Sequence, residues 1–414
     1  MTRLPGHGPG GPSRRKVLWG GAAAAGAGAA ALTGADTVFR SLRFPVENPG
    51  ADDPAGAARP HGERVHPFHG AHQSGVATPP QAHARFIGVD LNKDVDADGV
   101  RRLLSLLSDD AARLTQGRAA LADTEPELAA APSGLTITFG FGPGLVERVD
   151  PGAIPAWLKP LPDFTTDRLE ERWSHGDLLL QVCCDDPLTL SHAARMLGKD
   201  TRAFGTVRWS QEGFRRSYGA EPSGTTMRNL FGQVDGTVNP APEEEGFDSL
   251  VWCGDDTPGW LQGGTAMVLR RITMDLEGWD RLDRPGREDS VGRRLDNGAP
   301  LTGTEEHDEP DLEAMTPLGF PVIAEYAHIR RARSPDSEER IFRRAYNYES
   351  ETEGAGLLFA CYQRDPERQF VPIQRRLDEL DLLNEWITHI GSAVFAIPPG
   401  CEEGGFVGRG LFES

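Results

Sequence analysis

A pattern of strands alternating with helices occurs twice along this chain, and it restricts the folds that the sequence can adopt. In the first half, the predicted strands are 85–90, which has strand-like alternation, 135–139, 178–183 and 206–214, and the predicted helices are 97–118, which has helical periodicity, and 187–197. In the second half, the predicted strands are 266–274, 356–362 and 393–396, and the predicted helices are 276–282 and 370–384. Two comparable halves of this kind predict an α+β architecture with one duplicated unit.

The first 35 residues have the features of an export signal. Arg14 and Arg15, within Ser13-Arg14-Arg15-Lys16, form a twin-arginine pattern, and an Ala/Gly-rich stretch covers residues 19–32. That stretch is too short and too weakly apolar for a convincing membrane span. We therefore predict a twin-arginine signal peptide at 1–35, exported by the translocation machinery for folded proteins, with a retained membrane anchor as the alternative. The predicted location is extracellular or in the cell envelope or periplasm.

The remaining chain divides into an arm and two folded halves. Residues 36–80 are rich in Pro, Gly, Ala and His, which predicts a linker followed by an N-terminal arm laid over the body. The folded halves are then predicted at 81–220 and 221–414. The polar, acidic segment 283–317 is predicted to be an exposed loop that is partly helical near 289–295.

Charge and cysteine content exclude several classes of function. The net charge of −19 argues against nucleic acid or an anionic membrane as partner. The five cysteines are odd in number and scattered, so they predict small core residues rather than a disulfide framework. No Cys-x-x-Cys-His motif occurs, so a covalently attached haem is not indicated. The sequence leaves the oligomeric state open between monomer and dimer.

One motif presents a single carboxylate between two glycines. In Gly232-Gln233-Val234-Asp235-Gly236, the glycines allow positive φ angles and a close approach of the backbone to a flat ligand. Taken alone, the motif is also compatible with an ordinary surface turn, because Asp-Gly pairs are common turn formers. Two distant segments contain further candidate site residues. Segment 325–331 contains His328, and segment 341–348 contains the arginine doublet Arg343-Arg344.

Together these segments resemble the dye-decolourising (DyP-type) haem peroxidases, in particular the exported branch that includes the deferrochelatase-type proteins. The likeness runs from about residue 66 to residue 412 and includes His72-Gln73-Ser74-Gly75, Asp177-Leu178-Leu179-Leu180-Gln181 and Gly391-Ser392-Ala393-Val394-Phe395. It implies two ferredoxin-like halves of the dimeric α+β barrel type, with non-covalent haem b in the C-terminal half.

The resemblance also implies an activity. The expected enzyme uses hydrogen peroxide to oxidise dyes, phenols or similar donors in one-electron steps. Two alternatives remain open. One is a deferrochelatase-like role in iron release from haem or in ferrous-iron oxidation. The other, from a different class of protein, is a haem carrier without catalysis, which would need the haem ligand but not the distal groups.

The resemblance implies a role for each of the main site residues. His328 matches the axial ligand of the haem iron, although a single histidine is otherwise more often a surface or hydrogen-bonded residue. Asp235 is the expected distal acid–base group, and a nearby cation would keep it ionised. Arg343 is that expected cation and would stabilise charge on the leaving oxygen. Arg344 stays open as an alternative, although the two side chains face opposite ways if the segment is extended.

Supporting roles fall on residues near these groups. Asp381 is the expected partner of the second ring nitrogen of His328, with a helix-surface charge as the alternative. Gly236, Thr237 and either Arg330 or Arg333 are expected to contact haem and its propionates. Phe359 is expected to wall the distal pocket unless it is simply a core residue.

Two further groups have weaker functional interpretations. His61, His66, His69 and His72 lie in the N-terminal arm, where short His-rich segments sometimes bind metals, but no cysteine or carboxylate completes a site. Several aromatic residues are able to pass oxidising equivalents to the surface, although core packing is the default for each: Trp209, Tyr346, Tyr348 and Trp386.

Overall fold

The computed structural model describes residues 61–413, so the predicted signal peptide and residues 36–60 of the predicted linker lie outside the described part. The described strands are β1 (His83–Leu91), β2 (Thr136–Phe141), β3 (Leu178–Cys184), β4 (Gly205–Phe214), β5 (Thr265–Met274), β6 (Phe342–Arg343), β7 (Tyr346–Ser350), β8 (Gly354–Gln363) and β9 (Ile387–Ile397). The described α-helices are α1 (Ala97–Leu114), α2 (Pro143–Val149), α3 (Pro187–Thr201), α4 (Phe247–Val251), α5 (Leu276–Asp280), α6 (Arg284–Val291), α7 (His328–Ala332) and α8 (Phe370–Leu380).

The two halves contain sheets of the same topology. In the first half the antiparallel strand order is β4-β1-β3-β2, which is the order of a ferredoxin-like unit. In the second half β9, β5 and β8 are antiparallel neighbours, and β7 and β6 both pair with β8. The duplicated α+β architecture predicted from the sequence is therefore confirmed.

The two sheets close into one barrel at two narrow seams. Phe141 of β2 pairs with Ala396 of β9, and Phe214 of β4 pairs with Asn347 of β7. Because β5 pairs with both β8 and β9, the strands form a complete circuit. A cluster of buried side chains from both halves fills the interior, including Phe86, Leu179, Trp209, Met267 and Phe395. Closure pairs the edge strands that two separate sheets would leave exposed, except at the short strand β6, which pairs only with β8 among the described strands.

The N-terminal arm strengthens one of these seams. The Gln73 side chain accepts a hydrogen bond from Phe139 N (2.8 Å) and donates to the carbonyl oxygens of Phe139 (3.0 Å) and Pro398 (2.9 Å). Residue 139 lies on β2 and residue 398 follows β9, so one buried amide bonds both sides of the seam. The described part of the arm thus lies along the barrel.

Local capping explains where the helices depart from the predicted bounds. Helix α1 ends at Leu114 rather than at residue 118, and Gly117 beyond it has a φ of 70°. The predicted helix at 289–295 is wrong in position, because Asp283 caps α6 through Gly286 N and Gly292 ends it at a φ of 85°. Helix α8 ends at Leu380 rather than at residue 384, and Asp381 begins a separate turn of 3-10 helix, Leu382–Glu385.

Two further sequence-based expectations concern the core and the membrane. All five cysteines are buried and free within the described residues, as predicted for small core residues. No helix between residues 61 and 413 has the length and apolar character needed to cross a membrane.

Candidate active site

A cavity of about 600 Å³ lies against the C-terminal sheet, on the face turned away from the barrel interior. Arg270, Ile272 and Met274 of β5 line it, whereas Met267 and Leu269 of the same strand pack inside the barrel. Helices α7 and α8 supply further walls. The volume is within the range of about 300–1,000 Å³ that is usual for small-molecule and cofactor pockets.

His328 faces this cavity and is held from behind by a buried carboxylate. Its Nδ1 lies 2.6 Å from Oδ2 of Asp381, and the Asp381 side chain is only 1% exposed. Oδ1 of Asp381 accepts a hydrogen bond from Leu383 N at 3.0 Å, so the carboxylate is fixed at both oxygens. Among residues 61–413, nothing hydrogen-bonds to Nε2 of His328. The imidazole is therefore oriented with one nitrogen available to a ligand in the cavity.

Local sequence explains why these two residues meet. Ala327 has extended backbone angles immediately before His328, which begins the short helix α7. Asp381 follows the last residue of α8, and helices α7 and α8 are packed neighbours. Burial lowers the pKa of His328 and the Asp381 carboxylate raises it, and the balance leaves this pKa above its ordinary value.

A second charged pair faces the same cavity. Nη1 of Arg343 lies 2.9 Å from Oδ1 of Asp235, although the two residues are separated by 108 positions. Oδ2 of Asp235 accepts a hydrogen bond of 3.3 Å from Nδ2 of Asn229. The Asp235 turn is possible because Gly232 has a φ of 79° and Gly236 a φ of 131°. A partly buried arginine therefore neutralises the carboxylate at the cavity wall.

The structure separates the two residues of the arginine doublet. Arg343 and Arg344 leave the chain on opposite sides, as expected for extended backbone. Arg344 is 1% exposed and donates to Thr78 O and to Oε1 of Gln81. Of the two arginines, only Arg343 lines the cavity.

The remaining predicted residues are distributed unevenly. The cavity walls include Gly236, Thr237, Arg333 and Phe359, and the Thr237 hydroxyl donates to Glu306 at 3.0 Å. Arg330 does not line the cavity, because its guanidinium is bonded to backbone carbonyls, including that of Ile323 at 2.8 Å. The predicted haem contact at Arg330 is therefore not supported by its position, whereas Arg333 lies on the cavity wall beside Glu309.

Several residues near the cavity carried no predicted role. Asn229 hydrogen-bonds to the Asp235 side chain and Asn239 to the Arg343 backbone, and no local sequence pattern predicts either contact. The buried Arg270 forms an ion pair with Asp167 of the first half, close to His389. No local pattern predicts that contact, because it depends on how the two halves close.

Three histidines of the arm contact aromatic or cysteine side chains. His61 stacks on Tyr218, and His72 stacks on Trp252 with 3.8 Å between ring centroids. His69 contacts Cys401. Within residues 61–413, no group of three or more His, Cys, Asp or Glu side chains is placed to hold a metal ion.

Of the four aromatic residues considered for electron transfer, three are buried and Trp386 is half-buried. Trp209, Tyr346 and Tyr348 belong to the cluster inside the barrel, and Trp386 packs against Trp279 beside the cavity.

These residues fit a haem. The cavity offers one free imidazole nitrogen as an iron ligand, largely apolar walls, and an aspartate–arginine pair able to move a proton and stabilise an anion. The barrel fold and the cavity together define a haem-dependent peroxidase of the duplicated α+β barrel class.

Comparison with known proteins gives the family. The Dyp-type peroxidase N-terminal model matches residues 73–215, and the C-terminal model matches residues 226–402. A dye-decolorizing peroxidase of Thermobifida fusca is 38% identical, covering 97% of this chain and 98% of that protein. A deferrochelatase of Escherichia coli is 36% identical over 95% of each chain. A DyP-type peroxidase from Cellulomonas bogoriensis, solved by crystallography, is 52% identical with a TM-score of 0.83, covering 86% of this chain and 100% of that one.

The chain belongs to the Dyp-type peroxidase family, and it is accordingly a haem-dependent peroxidase.

Proposed function

We propose that the protein is an exported haem b peroxidase that reduces hydrogen peroxide and oxidises dyes, phenols or similar organic donors in one-electron steps. The observation that carries this proposal is the ion pair between Arg343 and Asp235 at the wall of the cavity that His328 also faces. A protein that only bound or carried haem would need the axial ligand but would have no use for a partly buried acid–base pair at the wall of the same cavity.

Each residue has a defined part in the proposed reaction. Bound haem would supply an iron atom that binds peroxide and takes up its oxidising equivalents. Nε2 of His328 is the atom proposed to bind that iron. The Asp381 carboxylate keeps the proton on Nδ1 of the same imidazole. Oδ2 of Asp235 takes a proton from one peroxide oxygen and returns it to the other. The guanidinium of Arg343 stabilises negative charge on the departing oxygen.

The test is the rate at which haem-loaded protein reacts with peroxide, measured by stopped-flow absorbance with Asp235→Asn. The variant keeps the size of the side chain but removes the base, and general acid–base groups typically contribute about 10²–10⁴-fold. Asp255→Asn, a substitution outside the cavity walls, is the matched control. An unchanged rate in Asp235→Asn would remove Asp235 from the mechanism.

A second candidate is iron release from haem, as the name of the Escherichia coli relative suggests for that protein. The two activities leave different products. Incubation of the haem-loaded protein without peroxide, followed by separate measurement of free iron and iron-free porphyrin, distinguishes them. Accumulation of intact porphyrin would favour the second candidate, and intact haem would favour the peroxidase.

We also propose export through the twin-arginine pathway, which is supported by Arg14 and Arg15 ahead of the Ala/Gly-rich stretch. The double substitution of these residues by lysine should retain the full-length chain in the cytoplasm of the producing cell. Fractionation of that cell measures this directly. Equal export of the double variant would contradict the proposal.

A further inference from the structure

Strand β6 carries Arg343 at an edge of the sheet. The backbone N–H of Arg344 donates to Ala360 O at 2.8 Å, so Arg344 and Ala360 form a hydrogen-bonded pair of the antiparallel ladder. Hydrogen-bonded and non-hydrogen-bonded pairs alternate along an antiparallel ladder, so Arg343, which precedes Arg344 and lies opposite Cys361, belongs to a non-hydrogen-bonded pair. The N–H and C=O of such a residue point away from the neighbouring strand. The backbone groups of Arg343 therefore face the open edge of the sheet.

Asn239 occupies that edge with its side chain. Its Oδ1 accepts the Arg343 N–H at 2.6 Å, and its Nδ2 donates to Arg343 O at 3.0 Å. A carboxamide has one acceptor and one donor side by side, so it complements the N–H and C=O of a single residue much as another strand would. This contact joins positions 104 residues apart.

Asn239 is also part of the turn that carries Asp235. Its own N–H donates to Gly236 O at 2.9 Å, and Asp235 N donates to Met227 O at 2.8 Å. One residue therefore connects the backbone beside the carboxylate to the backbone that carries the guanidinium. The 2.9 Å contact between Asp235 and Arg343 depends on the spacing of these two segments.

We propose that Asn239 is a positioning residue, which holds Arg343 at a fixed distance from Asp235 and so keeps the distal pair ready to act on peroxide. The proposal rests on the peroxidase function for its catalytic consequence, but the backbone contact itself is independent of that function. Both polar atoms of the Asn239 side chain are bonded to the backbone of Arg343, so Asn239 acts through Arg343. Displacement of a catalytic group by about 1 Å costs on the order of 10²-fold in rate.

The first experiment measures the backbone contact without any catalysis. Hydrogen exchange of the peptide that contains Arg343, followed by mass spectrometry, should be faster in Asn239→Ala than in the unsubstituted protein, because the Arg343 N–H loses its acceptor. Asn297→Ala is the matched control, since Asn297 likewise accepts from a backbone N–H (Ala299, 3.0 Å) and donates to a carbonyl (Thr304, 2.7 Å), in an exposed loop. Unchanged exchange at Arg343 would overturn the proposal.

The second experiment is a double-mutant cycle on the reaction with peroxide. Asn239→Ala should lower the rate constant by about 10- to 100-fold in the haem-loaded protein while leaving haem affinity unchanged. In an Arg343→Ala background the same substitution should have almost no further effect, because the group that it positions is gone. Asn239→Asp, which keeps the acceptor and loses the donor, should be intermediate and serves if Asn239→Ala does not fold.

The outcomes separate the proposal from the function on which it rests. An equal loss of rate in both backgrounds, or a matching loss of haem affinity, would show that Asn239 supports the cavity generally and would overturn the positioning role. If the unsubstituted protein did not react with peroxide at all, the proposed function would fail, and the hydrogen-exchange result would still decide whether Asn239 fixes Arg343.

Discussion

The hydrogen bond between His328 and Asp381 gives a quantitative prediction for haem binding. Asp381→Asn replaces one carboxylate oxygen by an amide group of the same size. In the native arrangement Oδ2 accepts from His328 Nδ1 and Oδ1 accepts from Leu383 N. An asparagine has one oxygen, so it satisfies only one of these two donors and turns its NH₂ group toward the other.

The expected magnitude follows from the geometry of that contact. The distance of 2.6 Å and the buried position of Asp381 indicate a charge-assisted hydrogen bond, which is worth about 1.5–3 kcal/mol. At about 1.4 kcal/mol for each factor of ten, the affinity for haem should fall roughly 10- to 100-fold. The assay is a titration of haem-free protein with haem, followed by the absorbance of the bound form.

A control two residues away, in the last turn of α8, separates this effect from a general change of charge. Glu379→Gln removes one negative charge from the last turn of α8, but Glu379 is exposed and pairs with Arg331 at the surface. This variant should bind haem as the unsubstituted protein does. A change smaller than about 2-fold in Asp381→Asn, or an equal change in Glu379→Gln, would refute the proposed support of His328 by Asp381.

Two further predictions test the doublet and a pair of buried acids. Arg344→Lys should lower the free energy of unfolding, measured in urea, by about 2–4 kcal/mol, because the buried contacts with Thr78 and Gln81 are lost. The rate at which the folded variant reacts with peroxide should stay unchanged. Unchanged stability with a greatly reduced rate would reverse the roles given to Arg343 and Arg344. Burial and the neighbouring Asp110 raise the pKa of Asp200 from 3.8 to about 7. Between these two pH values the native state keeps a proton that the unfolded chain releases, so the free energy of unfolding should fall as the pH rises from 3.8 to about 7. Asp200→Asn should remove up to about 3 kcal/mol of this pH dependence between pH 5 and pH 8, measured by unfolding at the two pH values, and parallel profiles for the two proteins would contradict it.

The long strands and the helices α1, α3, α5 and α8 were predictable from the sequence, whereas the short helices α2, α4 and α7 and the strands β6 and β7 were not predicted. Alternation indicated β1 (His83–Leu91), and largely apolar segments of strand length indicated β3 (Leu178–Cys184) and β5 (Thr265–Met274), each within a few residues. Helix ends were less predictable, since they depend on particular caps such as Asp283 and Gly292. The two-residue strand β6 has no periodicity to detect.

The main site residues were predictable only through the family resemblance. A lone histidine and a lone aspartate do not distinguish themselves from surface residues in one sequence. The resemblance selected His328, Asp235 and Arg343, and the structure places all three at one cavity. Their roles in binding haem and cleaving peroxide remain predictions that the substitutions above test.

The contacts that organise the site could not be predicted, because they join distant segments through the closed barrel. Asn239 reaches Arg343 only because the Asp235 turn lies against the edge of β6. The ion pair of Arg270 with Asp167 crosses from one half to the other. Neither contact has a local sequence signal, since both depend on the register and closure of the sheet.

The most direct test of the central claim is the absorption spectrum of the purified protein with haem, recorded before and after one equivalent of hydrogen peroxide. We expect a haem absorption band typical of histidine-bound iron, and a rapid shift of that band on mixing that reverses when an electron donor is added. A haem spectrum that stays unchanged or only bleaches would contradict the peroxidase mechanism. Failure to bind haem at all would contradict the assignment of the cavity.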